Sequence, residues 1–295
     1  MRVATHDGSF HADEVFALAA LGLAGEDVDL VRTRDPSTLS GRDARVDVGL
    51  RADPATGDFD HHQKGGAGER ANGIRFASFG LVWQTFGARA CGGDATVAAR
   101  VDAILVQPVD AHDTGQTLAA ESVFPGVRAM TVSHAIAAFN PAWDTEGDLA
   151  AAEDARFGEA LTFARGILER EVASATAGAR AAGLVAGAIE RASDPRVVEI
   201  DRSMPWREAV VTGAPEALFV IYPKSDGWGM QAVPRELGAF GNRKDLPEAW
   251  AGRSGAELVE ATGVTDARFC HPGRFIVVAE SHEGIHALAA LALAA

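Results

Sequence analysis

Val3-Ala4-Thr5-His6-Asp7-Gly8-Ser9-Phe10-His11-Ala12-Asp13-Glu14 opens the chain with a short β-branched run that ends in polar, ligand-bearing residues and leads straight into a helical pattern. The helix is expected over Ala12–Leu23, because Val15, Phe16, Leu18, Ala19 and Leu21 recur at helical spacing and Gly22 with Gly25 marks its end. Val28-Asp29-Leu30-Val31 then supplies a second strand, which makes the opening a βαβ unit. A third strand follows in Ala44-Arg45-Val46-Asp47-Val48. This alternation predicts an α/β fold with a parallel sheet. Ligands of such sheets bind beyond the carboxyl ends of the strands, where His6, His11, Asp13 and Asp47 fall.

Further along, helices are expected over Ser78–Phe86 and Asp94–Val106, the second ended by Pro108. From Asp148 to Ile189 the chain has no proline, and Phe157, Leu161, Phe163, Ile167 and Leu168 give one or two long helices an apolar face. Ser193-Asp194-Pro195 breaks this pattern and suggests a boundary between a larger domain, residues 1–190, and a smaller α+β domain, residues 195–295. Strand-like runs in the second are Val197–Ile200, Val210-Val211, Leu218–Tyr222, Gly229–Val233 and Phe275–Val278. Glu283–Ala292 reads as a closing helix.

With 295 residues, 47% apolar and 23% charged, the composition excludes collagen-like and wholly disordered chains. Acidic residues outnumber basic ones by 41 to 27, and the resulting net charge of −14 argues against nonspecific grip on long duplex nucleic acid. Short or single-stranded anionic substrates remain open, because divalent cations at an acidic cluster reverse the local sign. The longest nearly apolar stretch, Ile285–Ala295, is shorter than the ~20 residues of a membrane helix, and Met1-Arg2-Val3 leads directly into folded-looking sequence. A cytoplasmic protein without membrane contact is expected. Cys91 and Cys270 offer neither a disulfide framework nor a zinc ribbon, so any metal must use imidazoles and carboxylates.

Those groups cluster in four places: His6 to Glu14, Asp47, Phe59-Asp60-His61-His62-Gln63, and Asp110 with Asp113. Each alone has a bland explanation. Acids suit a helix N-terminus, a buried strand-end carboxylate can cap a turn, and loops are often polar. Together, at the ends of elements in one α/β domain, they suit a two-metal hydrolase using Mn²⁺, Mg²⁺, Fe or Zn²⁺, in which one carboxylate bridges the ions and a bridging hydroxide attacks the substrate.

The order His-x4-His-x-Asp, Val-Asp-Val-Gly, Asp-His-His-Gln and Val-Asp-Ala-x-Asp resembles the Asp-His-His (DHH) phosphoesterase superfamily. More narrowly, the opening stretch, Val31-Arg32-Thr33-Arg34-Asp35, residues 59–63, Asn140-Pro141-x-Trp143, Pro205-Trp206 and Phe269-Cys270-His271 resemble the family named for the melanocyte proliferating gene. The resemblance spans nearly the whole chain. It implies a two-domain fold, metal-dependent hydrolase activity and, from eukaryotic relatives, 3′-to-5′ exonuclease action on RNA. It also implies two divalent ions, with Mn²⁺ foremost: His6, His11 and Asp47 on one, and Asp13, Asp47, His61 and Asp110 on the other, with Asp113 as the alternative to Asp110. Asp47 would bridge, His62 would face the scissile phosphate, and Asp60 would orient an imidazole. Most of the superfamily has an aspartate where this chain has His11, which favours softer ions. Towards its end the second domain has Gly273-Arg274-Phe275-Ile276-Val277-Val278 and lacks the Gly-Gly-x-His clamp of many superfamily members.

Arg32 and Arg34 can neutralise phosphate or pair with nearby acids, and their position after a strand favours phosphate. Arg274, with His271 close by, is expected to reach substrate when the second domain closes over the metals, the alternative being a surface ion pair. Trp143, Trp206, Trp228 and Trp250 read as packing residues, and His112, His282 and His286 as surface or helix residues. A metal-dependent phosphodiesterase acting on RNA or short oligonucleotides is therefore expected. The alternatives are a hydrolase of a dinucleotide or pyrophosphate, or a non-catalytic metal-binding protein. A homo-oligomer is left open.

Overall fold

The computed structural model describes residues 1–118 and 124–295. The chain divides into two compact units, Met1–Thr176 and Ala177–Ala295.

In the first unit, β1 (Arg2–Thr5), α1 (Ala12–Leu23), β2 (Asp29–Arg32), α2 (Pro36–Ser40) and β3 (Ala44–Val46) follow the expected alternation. The short strands β4 (Ala52–Asp53) and β5 (Asp58–Phe59) complete a sheet of order β2-β1-β3-β5-β4. Neighbours pair in parallel except β4 with β5. Val3, Ala4 and Val46 are fully buried, as a parallel sheet covered on both faces requires. Helix α1 is buried from Ala12 to Leu21, the acids Asp13 and Glu14 included, so it carries no solvent face along that span. It packs on α3 (Ser78–Ala90), where Phe16 stacks on Phe79 at 5.6 Å between ring centres.

Pro108 does not end a helix. The chain runs from α4 (Ala95–Val101) through a π-helical turn, Asp102–Val106, into α5 (Gln107–Asp113). Pro108 sits in the first turn of α5, where a missing N–H costs little, and the wider turn before it accommodates the ring. Asp110 and Asp113 are accordingly helical residues, not loop residues. After α6 (Val132–Ala137), one continuous helix, α7 (Leu149–Arg191), carries residues of both units. The division between units falls inside it, whereas Ser193-Asp194-Pro195 ends it. Phe157, Ala160, Ala164 and Leu168 form its buried stripe in the first unit, with Phe157 edge-on to Phe10. By length and composition alone, α7 could cross a membrane, a possibility that no terminal stretch suggested.

The second unit is a sheet of order β6-β7-β8-β10-β9, built from β6 (Val197–Glu199), β7 (Phe219–Lys224), β8 (Gly227–Ala232), β9 (Ala267–Cys270) and β10 (Ile276–Ala279). Only β6 and β7 pair in parallel; the other three pairings are antiparallel. Phe219 and Ile221 of β7 face one core with Met230, Trp250, Leu258 and Ile285, while Val220 and Tyr222 face another with Val198, Trp206 and Val210. This is the period of two expected of a strand buried on both faces. Helices α8 (Arg207–Gly213), α9 (Gly255–Thr262) and α10 (His282–Ala294) complete the unit. Val210-Val211 is therefore helical, not a strand: the pair lies within α8, and Val210 is the residue buried under the sheet. Trp206 and Trp250 are core residues and Trp228 is partly buried, but Trp143 is 95% exposed and packs nothing.

Candidate metal centre

Three parallel strands deliver the ligand-bearing residues to one end of the first sheet. His6 follows β1, Asp47 follows β3, and Asp60, His61 and His62 follow β5. Asp47 has φ +57°, and Gly49 and Leu50 also lie at positive φ. This reverses the chain directly after the strand and stores roughly 1–2 kcal/mol of backbone strain at each non-glycine position. Aspartate tolerates that conformation better than most residues. The buried Asp47 carboxylate then meets three imidazoles: His6 Nε2 at 3.3 Å, His61 Nε2 at 3.4 Å and His62 Nδ1 at 3.3 Å. Ser78 Oγ donates to it at 3.0 Å.

Two of these imidazoles, His6 and His62, are held by hydrogen bonds of their own. His6 Nδ1 donates to the Asp7 carbonyl at 3.0 Å. Because a carbonyl only accepts, that bond fixes the tautomer and leaves Nε2 its lone pair in the neutral ring. His62 Nδ1 lies 2.9 Å from Asp60, whose buried carboxylate also accepts the amides of His62 and Leu50 at 3.0 and 2.6 Å. Asp60 thereby ties His62 to the turn after β3 and acts as an orienting group. His61 Nε2 has Asp113 at 3.0 Å, Asp47 at 3.4 Å and Asp13 at 3.9 Å, yet is aligned for a hydrogen bond with none of them.

Helix α3 serves the centre with its N-terminus. The Ser78 and Phe79 amides donate to the two oxygens of Asp13 at 2.8 and 2.7 Å, and the Gly80 amide donates to Asp110 at 2.9 Å. The positive end of the helix thus stabilises two buried carboxylates. Asp110 spends its other oxygen on Arg70 at 2.7 Å. Of the two aspartates on α5, it is therefore Asp113, one turn later, that meets His61.

Glu14 is the residue that motif reading overlooked. An acid in a first helical turn has a ready explanation in the helix dipole, yet Glu14 is fully buried. Its Oε1 accepts the His11 amide at 2.8 Å and stands 3.2 Å from His6 Nε2. Its Oε2 has no hydrogen-bond partner among the described residues. A buried orphan carboxylate oxygen and a buried orphan imidazole nitrogen in one site are costly unless a cation completes them.

The donors fall into three overlapping groups: His6, His11, Glu14 and Asp47; Asp47, His61 and His62; and Asp13, His61 and Asp113. Asp47 belongs to two of them and His61 links the second to the third. Mixed imidazole and carboxylate sets suit Mn²⁺, Fe, Zn²⁺ or Co²⁺. Electrostatics point the same way. Burial opposes protonation of His6, but Asp47 and Glu14 outweigh it and push the ring up to about 10. His61 rises to about 11 as Asp113 and Asp47 overcome burial, and His62 rises to about 9 through Asp47 first. Burial works to raise Asp47, yet the three imidazoles hold it well below the usual carboxylate range. Asp13 goes well above that range through burial and the neighbouring charges of Asp47, Asp113 and Asp110. Burial lifts Asp110 to about 7 against the pull of Arg70. Such crowding of carboxylates is relieved by protons or by divalent cations.

A cavity of about 790 Å³ opens over the centre. His6, His11, Asp47, His62, His112 and Asp113 form its polar floor, and Pro36, Leu39, Val48 and Leu50 one apolar side. Arg34 also lines it, paired with Asp7. Arg32 does not line it. Its guanidinium is buried against Phe157, donates to the Gly8 carbonyl and pairs with Asp154 at 2.8 Å, so it braces the β1–α1 connection. In the second unit, Arg274, at φ +54°, pairs with Asp245 at 3.0 Å, and His271 Nδ1 accepts the Gly273 amide at 2.9 Å.

A family model described as "Uncharacterised protein family (UPF0160)", and labelled as MYG1 exonuclease, matches residues 2–293. The chain is 32% identical to the MYG1 exonuclease of Homo sapiens, over 99% of this chain and 86% of the human protein. It is 33% identical to the MYG1 protein of Chlamydia trachomatis, over 95% of this chain and 92% of the relative, and 30% identical to the Mus musculus MYG1 exonuclease.

Proposed function

The chain belongs to the MYG1 family, and from that footing we propose that it is a metal-dependent phosphodiesterase, an exonuclease that removes nucleotides from the 3′ end of RNA or short oligonucleotides. The observation that carries this reading is Asp47. One buried carboxylate, turned into the cavity by a strained backbone, is shared between donor groups on either side, as a ligand bridging two ions must be. Two divalent ions, Mn²⁺ foremost, would be held by His6, His11, Glu14 and Asp47 and by Asp13, Asp47, His61 and Asp113. When bound, they supply Lewis-acid stabilisation of the phosphoryl oxygens and a water of lowered pKa.

The chain's own residues do the rest. Asp60 holds the Nδ1 side of His62, and the half-exposed ring lines the cavity. His62 is thus suited to donate to a phosphoryl oxygen or to the leaving group. Arg34 offers its fork to a second phosphate if Asp7 releases it. The apolar side formed by Leu39, Val48 and Leu50 excludes water and can take a base or sugar face. No Phe, Tyr or Trp is among the described residues that line it, which favours short segments over long stacked strands.

The cavity volume supports a second reading, hydrolysis of a dinucleotide or pyrophosphate, since it lies in the range of small-molecule sites. The test is to incubate pure protein with 5′-labelled short RNA, short DNA, a dinucleotide and pyrophosphate under Mn²⁺, Mg²⁺ and Zn²⁺. A ladder shortening from the 3′ end of RNA is expected. Cleavage confined to the small molecules would select the second reading. No turnover of any of these substrates under any ion would leave a metal-binding protein without this catalysis.

A further inference from the structure

A second group of metal donors lies in the second unit. His282 and His286 sit four residues apart on α10, so one face of the helix presents both rings. Glu199, at the end of β6, meets them with one oxygen each: Oε1 is 2.8 Å from His282 Nε2 and Oε2 is 2.8 Å from His286 Nε2. The two Nε2 atoms are 3.1 Å apart. Bonds of ~2.0–2.1 Å to a tetrahedral zinc ion imply donor-to-donor edges of about 3.3 Å, so shifts of a few tenths of an ångström would seat an ion among these three. A cavity of about 300 Å³ borders Glu199 and His286, leaving room for a water or another ligand in a fourth position.

We propose that Glu199, His282 and His286 form a second transition-metal site, independent of the centre in the first unit, that takes Zn²⁺ or Cu²⁺ and staples the first strand of the second unit to its last helix. Two imidazoles and one carboxylate favour these ions over Mg²⁺, which prefers oxygen donors. Glu199 and His282 are 83 positions apart, so an ion joining them closes most of the unit's chain length and adds its binding free energy to the folded state.

Trp228 provides a local reporter, because its ring centre is 4.6 Å from that of His282. In a Cu²⁺ titration, fluorescence quenching is expected in the wild type, is largely lost in Trp228→Phe, and persists in Asp47→Asn. His282→Gln with His286→Gln should weaken the quenching at least tenfold in Cu²⁺ concentration and remove one equivalent of Zn²⁺ in calorimetry. Mn²⁺-dependent turnover should stay unchanged, which also shows that the double variant folds. Glu199→Gln should weaken binding by a smaller factor. Quenching and Zn²⁺ stoichiometry that survive the double substitution would overturn the site.

Discussion

At the scale of single residues, Asp47 has two tasks that substitution can separate. Asparagine adopts positive φ nearly as well as aspartate, so Asp47→Asn keeps the turn after β3 while removing the charge that faces three imidazoles. The variant should fold, lose at least one of two tightly bound ions by elemental analysis, and fall ~10²-fold or more in turnover. Full metal content with full activity would remove the bridging role. Glu14→Gln keeps an acceptor for the His11 amide but neutralises the orphan oxygen. It should weaken one ion by at least ~10-fold in a chelator competition, the scale on which metal-site partners act. His62→Ala should keep both ions and lose ~10²-fold in kcat, as removal of an acid–base group does. Because His62 Nδ1 also stands 3.3 Å from Asp47, metal loss equal to that of His61→Ala would make it a ligand instead.

At the scale of elements, the N-terminus of α3 holds the centre together. Its first three amides are committed to Asp13 and Asp110, and Gly80 leaves room for the Asp110 carboxylate beneath it. A Cβ at position 80 would stand 2.0 Å from Asp110 Oδ2 and 2.8 Å from Arg70 Nη2. Gly80→Ala must therefore displace a buried ion pair, and a loss of about 3 kcal/mol in urea unfolding is expected. A change below ~0.5 kcal/mol would show that the pair can move aside without cost. Sequence could not choose between Asp110 and Asp113, because both lie on one face of α5 and the π-helical turn before it alters the helical phase. Only the packing of α5 beneath α3 assigns Asp110 to Arg70 and Asp113 to His61.

At the scale of the whole molecule, the proposed ions bind within one unit, so their removal should be felt there. When protein loaded with Mn²⁺ is treated with a chelator, hydrogen exchange should speed up in β1, β3, β5 and the start of α3. The sheet of the second unit should keep its protection, since folded-state binding stabilises what it contacts. Uniform loss across both units would mean that they unfold together. Sequence by itself determined the βαβ opening, the placement of His6 and Asp47 at strand ends, and a long proline-free helical stretch, because periodicity and chain breaks act over short spans, whereas the short β5 before His61 and the continuity of α7 came from the packed structure. It also made the Asp-His-His run visible, since an acid directly before two adjacent imidazoles is conspicuous in any sequence. Tertiary structure alone decided what long-range burial controls. Glu14 stands buried beside His6 because α1 is covered on every side, and Arg32 left the cavity because Phe157 and Asp154 of α7 claim it. Glu199 reached His282 across 83 residues because β6 and α10 meet in one packed unit. A carboxylate's role depends on which neighbours share its buried volume, and that is a property of the packed chain, not of its local order.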